Sequence, residues 1–386
     1  METIQNHYLH LLSEYSSFKD TKLSGRYLPY DSIKPSLERL GKYFPIQKIG
    51  FSTLGEPIET ITIGNGDFKI LAWSQMHGNE STTTKAVFDI VNAFMIFPED
   101  PFLVFLKKHI TLKIIPMLNP DGGFLYQREN VNGVDLNRDA KNLSEKESIV
   151  LRNAFETFKP RFCFNLHDQR SIFSAGELPL PATLSFLTPA MDASRAVTPA
   201  RAISMKVIAA VAAELQLIIP GQIGRYDDAY NSNCTGDTFQ TLGTPTILFE
   251  AGHYPEDYMR EETRRLIVIA LFSALNAIAT ENFKSRNIAD YFAIPENQKL
   301  FYDVILRNAS IQGGIADVAI QYRETLQNEE ILFVPFIEKI AGNLPFFGHR
   351  EINCAGKDLK TLEYQSPCEN DIVNKLLLNN EVLVIN

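Results

Sequence analysis

Compact apolar runs alternate with stretches of helical periodicity along the first 280 residues of the chain. Residues 46–64, "IQKIGFSTLGEPIETITIG", contain two alternating segments around a Gly-Glu-Pro turn and predict two strands. Residues 68–74, "FKILAWS", are a nearly continuous apolar run, which is typical of a strand buried on both faces. Beyond them the apolar positions follow a helical period, so a helix is predicted to begin near Ser81 or Thr82.

The alternation of strand and helix patterns continues to residue 279. Further strands are predicted at 111–118, 161–167 and 244–250, and further helices at 144–158, 198–217 and 256–279. Strands that alternate with helices predict an α/β fold of three layers, in which a mixed, mostly parallel central sheet has helices on both faces. Residues 176–193 contain several prolines and predict a long loop near the functional site.

The pattern divides the chain into three parts. Residues 1–45 predict a helical arm, and residues 46–285 form the main α/β domain. The segment "YFAIPENQ" reads as a linker, after which short strand-like runs are separated by turn residues. Residues 291–386 are therefore predicted to be a small β-rich C-terminal domain.

Composition excludes several classes of protein. The chain has 386 residues, of which 45% are hydrophobic and 22% charged, as in ordinary globular proteins. Its net charge of −9 argues against nucleic-acid binding, which needs clustered positive charge. The N-terminus lacks the pattern of a secretory signal, and no apolar run is long enough to span a membrane. We therefore expect a cytoplasmic protein with no membrane or nucleic-acid partner.

Some reactive residue types carry no functional signal. The four cysteines are scattered without CxxC spacing, so neither a thiolate zinc site nor a disulfide framework is predicted. Cys163 and Cys234 are expected to be buried without a role. His253 is assigned to a loop or to a supporting position, and the pair Arg264 and Arg265 is expected on a solvated helix face.

Several predicted strands end in polar residues that are capable of chemistry. His77 and Glu80 follow one strand, while His167 and Glu250 end two others. Because ligands bind at the carboxyl ends of strands in open α/β sheets, we expect these side chains to form one site. The strand predicted at 111–118 is followed by a further set of polar residues: Asn119, Asp121, Arg128, Asn137 and Arg138.

The residue types in this group suit a catalytic zinc ion. Such an ion takes about three His or carboxylate ligands and leaves one position open. His77, Glu80 and His167 supply this set for one Zn²⁺. Glu250, a carboxylate outside the ligand set, is the candidate acceptor of the proton of the attacking water.

The motifs "HGNE", "NPDGG", "NGVDLNR", a later "LH" and "TPTILFE" resemble, in this order, those of zinc carboxypeptidases of the carboxypeptidase A type. The resemblance covers roughly residues 45–280. It implies the metal ligands already named and makes residues 46–285 a zinc carboxypeptidase-like catalytic domain. It also implies that Asn137 and Arg138 bind the terminal carboxylate of the substrate, that Arg128 stabilises the oxyanion, and that Glu250 is the general base.

The chain departs from the family pattern in a few places. Asn79 stands where many members have arginine, and Asp139 replaces the second asparagine of "NRN". Tyr226 and Tyr230 both flank the place of the family's mobile tyrosine, with a slight preference for Tyr230 as the substrate-binding residue. Asp237 lies where the pocket for the terminal side chain is expected, and it would favour a basic group.

Three functions follow from this resemblance. The first is a zinc carboxypeptidase that hydrolyses the C-terminal bond of a peptide or peptide-like substrate with a free carboxylate. The alternative is a zinc deacylase of N-acyl amino acids, similar to aspartoacylase and succinylglutamate desuccinylase. "NPDGG" with "NGVDLNR" favours the peptidase, and "HGNE" favours the deacylase. The third, a binding protein without catalysis, is disfavoured because all the chemical groups are retained.

Overall fold

A computed structural model describes residues 2–385 of the chain. The chain divides into two compact units. The first comprises the chain up to Gln169 together with Ala182–Asn297, and the second comprises Arg170–Pro181 together with the chain from Gln298 onward. The N-terminal arm therefore belongs to the first unit, while the boundaries of the three predicted domains stay a prediction.

The helices and strands alternate through the first unit, and strands dominate the second. The α-helices are α1 Glu2–Ser13, α2 Tyr15–Phe18, α3 Tyr30–Leu40, α4 Thr82–Ile96, α5 Pro101–His109, α6 Pro120–Leu125, α7 Lys146–Phe158, α8 Pro199–Leu215, α9 Thr235–Thr241, α10 Glu261–Ala279 and α11 Ile288–Phe292. Two short 3-10 helices lie at Leu136–Arg138 and Asn282–Ser285.

The strands are β1 Ile46–Phe51, β2 Pro57–Ile63, β3 Phe68–Trp73, β4 Ile110–Ile115, β5 Phe162–Asp168, β6 Phe173–Ala175, β7 Leu184–Leu187, β8 Ile223–Arg225, β9 Thr246–Ala251, β10 Asn297–Lys299, β11 Phe301–Ile311, β12 Gly314–Gln327, β13 Glu330–Ala341, β14 Phe347–Asn353, β15 Leu359–Lys360, β16 Lys375–Leu378 and β17 Glu381–Val384.

A mixed sheet of eight strands forms the centre of the first unit. The strand order is β1-β2-β4-β3-β5-β9-β7-β8, in which the inner strands β4, β3, β5 and β9 run parallel. The remaining neighbours are antiparallel, apart from β7 and β8. Because the four inner strands are parallel, their carboxyl ends lie at the same edge, which is where the candidate site residues stand.

Helices cover both faces of this sheet. One apolar core joins the sheet to α4, α5, α8 and α10 and to the N-terminal helices. A smaller core lies on the opposite face, where Trp73 of β3 packs edge-on against Phe239 of α9 and α7 supplies Leu151. The predicted three-layer α/β fold is confirmed.

Two expectations about this unit were wrong. Residues 176–193 are not one long loop, because Leu184–Leu187 form β7, which pairs antiparallel with β9. Arg264 does not lie on a solvated face. Its side chain is fully buried and forms an ion pair with Asp89 of α4, with 2.5 Å between its Nη2 atom and the Asp89 Oδ1 atom. Arg265 is partly exposed and pairs with Glu262.

The second unit is rich in β structure, as predicted. A four-stranded sheet has the order β13-β12-β11-β14, and a three-stranded sheet has the order β15-β16-β17. An apolar core that includes Val304, Ile320, Ile337 and Leu376 fills this unit. Within residues 2–385, no helix has the length and hydropathy of a membrane span.

Candidate metal centre

Two imidazoles and one carboxylate converge at the carboxyl ends of β3 and β5. His77 Nδ1 lies 2.7 Å from Glu80 Oε1, and His167 Nδ1 lies 2.8 Å from Glu80 Oε2. The two Nδ1 atoms are 3.1 Å apart. The three side chains are buried, and their ligand atoms all lie within 4.8 Å of one another. Two nitrogen donors that face each other beside a carboxylate fit the ligand set of a catalytic zinc ion.

Close backbone contact fixes the loop that carries His77 and Glu80. A side chain at Gly78 would meet the backbone carbon of Gly122 at 2.0 Å, so the "HGNE" loop can approach the "NPDGG" segment only through glycine. The side chain of Gln75, which has a left-handed backbone with φ of 48°, donates to the carbonyls of Leu28 and Gly78. Two distant motifs therefore hold the loop in place.

The side chains of Asn119 and Asp121 form hydrogen bonds that hold neighbouring loops. The side chain of Asn119 accepts from Gly122 N at the start of α6 and donates to the carbonyls of Met76 and Glu129. The Asp121 carboxylate accepts from Ser52 Oγ and Leu54 N in the turn between β1 and β2. Both residues therefore brace the loops around the centre.

Asp135 lies behind His77. We call His77, Glu80 and His167 the donor cluster. The Asp135 Oδ1 atom is 3.1 Å from His77 Nε2, the ring nitrogen that faces away from this cluster. Its Oδ2 atom accepts from Nε and Nη2 of Arg128. Burial alone would raise the pKa of Asp135, but its contacts with His77 and Arg128 hold that pKa below its ordinary value. A carboxylate in this position orients the imidazole and raises its basicity as a ligand.

Arg128 reaches the donor cluster from the solvent side. Its Nη1 atom lies 3.2 Å from His77 Nδ1 and 3.5 Å from Glu80 Oε1, while 41% of the side chain is exposed. Its two hydrogen bonds to the same Asp135 oxygen restrict the orientation of the guanidinium. The positive group therefore faces any oxygen that binds beside the donor cluster.

Glu250 is the neighbour of His167 in the sheet. The two residues are paired in the parallel register of β5 and β9, so their side chains project from the same face. The Glu250 Oε2 atom is buried without a hydrogen-bond partner in the described part of the chain. Burial, together with the negative charges of Glu80 and Asp168, raises the pKa of Glu250 well above its ordinary value. A divalent cation at the donor cluster would oppose this effect.

Asp168 supports the centre from the next position of β5. Its backbone N donates to Glu80 Oε2, and its Oδ2 atom accepts from Thr82 N at the start of α4. Burial raises the pKa of this carboxyl, and the positive charges of Arg260 and Arg26 oppose the rise. Asp168 therefore links the end of β5 to Glu80 and to the start of α4.

Asn137 and Arg138 lie beyond the donor cluster, in the short 3-10 helix. The side-chain oxygen of Asn137 accepts from Thr235 N and Cys234 Sγ at the start of α9. Arg138 is exposed, and its Nη1 atom donates to the carbonyl of Asn137. Its positive charge also acts to lower the pKa of Asp237 in α9.

The two candidate tyrosines differ in their surroundings. Burial and the charges of Glu250 and Glu80 raise the pKa of Tyr226 far above its ordinary value. The negative charges of the centre therefore act on the phenol of Tyr226. Tyr230 is half-buried in the segment between β8 and α9.

Comparisons with known proteins find a similarity to one family. The model of the zinc carboxypeptidase family, Peptidase_M14, matches residues 37–163. This part of the chain is therefore similar to zinc carboxypeptidases. The chain is 28% identical over 141 residues to carboxypeptidase SOL1 of Arabidopsis thaliana, and these residues cover 34% of this chain and 29% of the relative. It is 30% identical over 122 residues to gamma-D-glutamyl-L-diamino acid endopeptidase 1 of Lysinibacillus sphaericus, covering 29% of this chain and 30% of that relative. The chain thus spans less than a third of either relative.

Solved structures of carboxypeptidases share the fold. A metallo-carboxypeptidase from Burkholderia cenocepacia aligns with a TM-score of 0.53 and 18% identity, covering 66% of this chain and 70% of that chain. Carboxypeptidase A from Helicoverpa armigera aligns with a TM-score of 0.52 and 16% identity, covering 72% and 81%. At this level of identity the likeness establishes the architecture alone.

One departure from the zinc carboxypeptidase pattern, Asp139, has an explanation in the structure. Asp139 accepts from the backbone N and Oγ of Ser144 and from Glu145 N, so it fastens the turn that leads into α7. Asp237 is buried at the start of α9, and burial raises its pKa to about 6 although the charge of Arg138 opposes the rise. Nothing in the structure explains Asn79.

Asp135 lies within the quoted motif "GVDLNR", yet no role for it was predicted from the sequence. Its carboxylate contacts one predicted ligand and the predicted oxyanion arginine. The signal that could have identified it is a carboxylate two residues before "NR", since ligating histidines usually donate their second nitrogen to such a group.

Proposed function

We propose that the protein is a zinc-dependent carboxypeptidase that hydrolyses the last peptide bond of a substrate with a free C-terminal carboxylate. The observation that carries this proposal is the convergence of His77, Glu80 and His167, with Glu250 beside His167 in the adjacent strand. The match of residues 37–163 to the zinc carboxypeptidase family supports the chemistry. We assign one Zn²⁺ to the three ligands.

Glu250 is the general base and acid in this proposal. When bound, zinc lowers the pKa of a water molecule and polarises the scissile carbonyl. The Glu250 carboxylate accepts the proton of the attacking water and returns it to the leaving amine. Its buried Oε2 atom, which has no protein partner among the described residues, is suited to bind that water. Burial raises the pKa of Glu250, and a cation bound at the donor cluster would oppose the rise.

Arg128 and Arg138 have different roles. The Arg128 guanidinium, fixed by Asp135 beside the donor cluster, donates to the oxygen on which negative charge develops. The Arg138 guanidinium and the amide of Asn137 bind the terminal carboxylate, for which the planar fork of arginine gives two parallel hydrogen bonds. We place Tyr226 at the carboxylates of the centre, and Tyr230 stays a prediction for substrate binding.

The zinc-dependent deacylase is not favoured, because the family model and the similar sequences are peptidases of the zinc carboxypeptidase family. The cytoplasmic location and the lack of a nucleic-acid partner stay predictions from the sequence.

One experiment separates the two reactions. The purified protein, loaded with zinc, is incubated with a mixture of peptides and, separately, with N-acetyl-aspartate and succinyl-glutamate, and the products are followed by mass spectrometry. We expect stepwise loss of C-terminal residues that a chelator abolishes and zinc restores. C-terminally amidated versions of the same peptides are the control, and they should resist cleavage. Release of acetate or succinate with intact peptides would exclude the proposed activity.

A further inference from the structure

A cavity of about 300 Å³ lies at the C-terminal ends of α8 and α10 in the first unit. Glu214 and Leu217 line it from the end of α8, Ser273 and Asn276 from α10, and Arg286 from the segment after the second 3-10 helix. Its volume is at the lower end of the range for small-molecule pockets.

This cavity is separate from the metal centre. Arg260, next to the first residue of α10, donates to the carbonyl of Gln169 just beyond the site end of β5. The helix α10 has 19 residues, so its last turn lies roughly 25 Å along the helix axis from its first turn. The lining residues from α10 belong to the distant half, so nothing that binds there can contact the metal ligands.

A carboxylate without a cationic partner stands on one side of the cavity. The Glu214 Oε2 atom accepts from Ser273 Oγ at 2.5 Å. Tyr8 is buried beside it, because the charge of Glu214 is the largest contribution after burial to the raised pKa of that phenol. In the described part of the chain, no cationic side chain forms an ion pair with Glu214. The C-terminal ends of two helices, which carry partial negative charge, add to the preference for a cation.

Two groups that can bind a carboxylate stand elsewhere on the wall. Arg286 is exposed, and its guanidinium makes no ion pair within residues 2–385. Asn276 is only 7% exposed and lines the cavity, yet its side-chain amide makes no hydrogen bond with a residue that the structure describes. An amide that lines the cavity without a described partner can donate a hydrogen bond to a ligand there.

We propose that this cavity binds a free amino acid or a zwitterion of similar size, with the ammonium group on Glu214 and the carboxylate on Arg286. Opposite charges that line the same cavity without pairing leave both groups available to such a ligand. Asn276 donates to the ligand carboxylate from the floor. The proposal concerns binding and does not depend on the peptidase activity.

The test is calorimetric titration of the full-length, zinc-loaded protein with L-alanine, L-leucine and L-arginine. An Arg138→Ala background removes the proposed carboxylate subsite of the active site. We expect stoichiometric binding that Glu214→Gln weakens about tenfold or more, as for loss of one charge-assisted hydrogen bond. Arg286→Ala should weaken binding of the amino acid by a similar factor. It should not change binding of the corresponding amino-acid amide, which lacks the carboxylate.

The exposed Arg286 makes this test robust. Its substitution does not disturb the packed core, so the contrast between acid and amide decides the matter even if Glu214→Gln fails to fold. Lys284→Ala, on the neighbouring surface and paired with Glu281, is the matched control and should leave binding unchanged. Absence of binding in the Arg138→Ala protein, or binding that neither Glu214→Gln nor Arg286→Ala weakens, would overturn the proposal.

Discussion

Glu250 and His167 are paired residues on the adjacent parallel strands β9 and β5, and both project from the same face of the sheet. The spacing of parallel strands, about 4.8 Å, then sets the distance between a predicted metal ligand and the predicted base. Since backbone hydrogen bonds define this register, the distance does not depend on a flexible loop. Under the proposed function, the sheet is a rigid support for the metal ligand and the base that act on the same water molecule.

The first prediction concerns Glu250. Glu250→Gln keeps the size and a hydrogen-bonding oxygen but removes the proton acceptor, so we expect kcat to fall by about 10²–10⁴-fold. Zinc content, measured by elemental analysis, should stay at one ion per chain because Glu250 is not a ligand. His77→Ala is the contrasting variant and should lose both zinc and activity. Substantial activity in Glu250→Gln would assign the base to another group.

The second prediction concerns Asp135. Asp135→Asn removes the charge that orients His77 and fixes Arg128, so zinc affinity should fall by about 10–100-fold. The measurement is competition with a chelator of known affinity. Asp139→Asn, four residues away, is the matched control because the Asp139 carboxylate accepts from Ser144 and Glu145, and it should keep zinc affinity. Equal losses in both variants would indicate a general effect of this segment.

Residues that carry a local pattern were predicted correctly from the sequence. The strand "FKILAW" and the helix after Ser81 have clear periods, and β3 and α4 follow them closely. The predicted ligands His77 and Glu80, which the structure brings together with His167, stand out in the sequence because they follow the end of an apolar run. Local patterns are informative where the same few residues both form the element and determine its burial.

Features that depend on distant partners were missed. β7 has only four residues in a proline-rich segment, and it is a strand because β9 and β8 flank it. Arg264 looks like a surface residue in a helix, yet its partner Asp89 is 175 positions away in the sequence. Asp135 is near His77 only after the sheet has formed. No local period contains such information.

The third prediction tests the contact between Gly78 of "HGNE" and Gly122 of "NPDGG". In Gly78→Ala the new carbon would overlap the backbone of Gly122, which cannot move without shifting the metal loop. We expect a loss of about 1–3 kcal/mol in the free energy of unfolding and a measurable loss of zinc affinity. Gly342→Ala, at a position with open space around it, is the control and should change neither. A stable Gly78→Ala protein with normal zinc binding would contradict this account of the loop.

The fourth prediction concerns the buried pair of Arg264 and Asp89. Arg264 also donates to the carbonyls of Leu23 and Asp20, so one guanidinium fastens the N-terminal arm to α4 and α10. Arg264→Ala leaves the Asp89 charge buried and should cost about 3–5 kcal/mol in the free energy of unfolding. The neighbouring Arg265→Ala removes a partly exposed pair and should cost at most about 1 kcal/mol. Denaturant titration of both variants measures the difference, and equal effects would show that burial of Arg264 is unimportant.

The last prediction is the pH dependence that Asp237 imparts. Burial raises the pKa of this carboxyl from 3.8 to about 6 in the folded chain. Between pH 3.8 and about 6, the folded state therefore keeps a proton on Asp237 that the unfolded state has already released. The stability of the wild type relative to Asp237→Asn should fall as the pH rises from 3.8 to about 6 and stay level above it.

Unfolding in denaturant at a series of pH values gives this difference directly. A relative stability that stays constant or rises across the window would mean that the carboxyl is not destabilised by burial. Under the proposed function, the ionised form above pH of about 6 would also attract a basic terminal side chain. In the wild type, KM for a peptide ending in lysine should then fall as the pH rises through this window, whereas in Asp237→Asn it should not. KM for the same peptide ending in leucine is the control and should not differ between the two proteins.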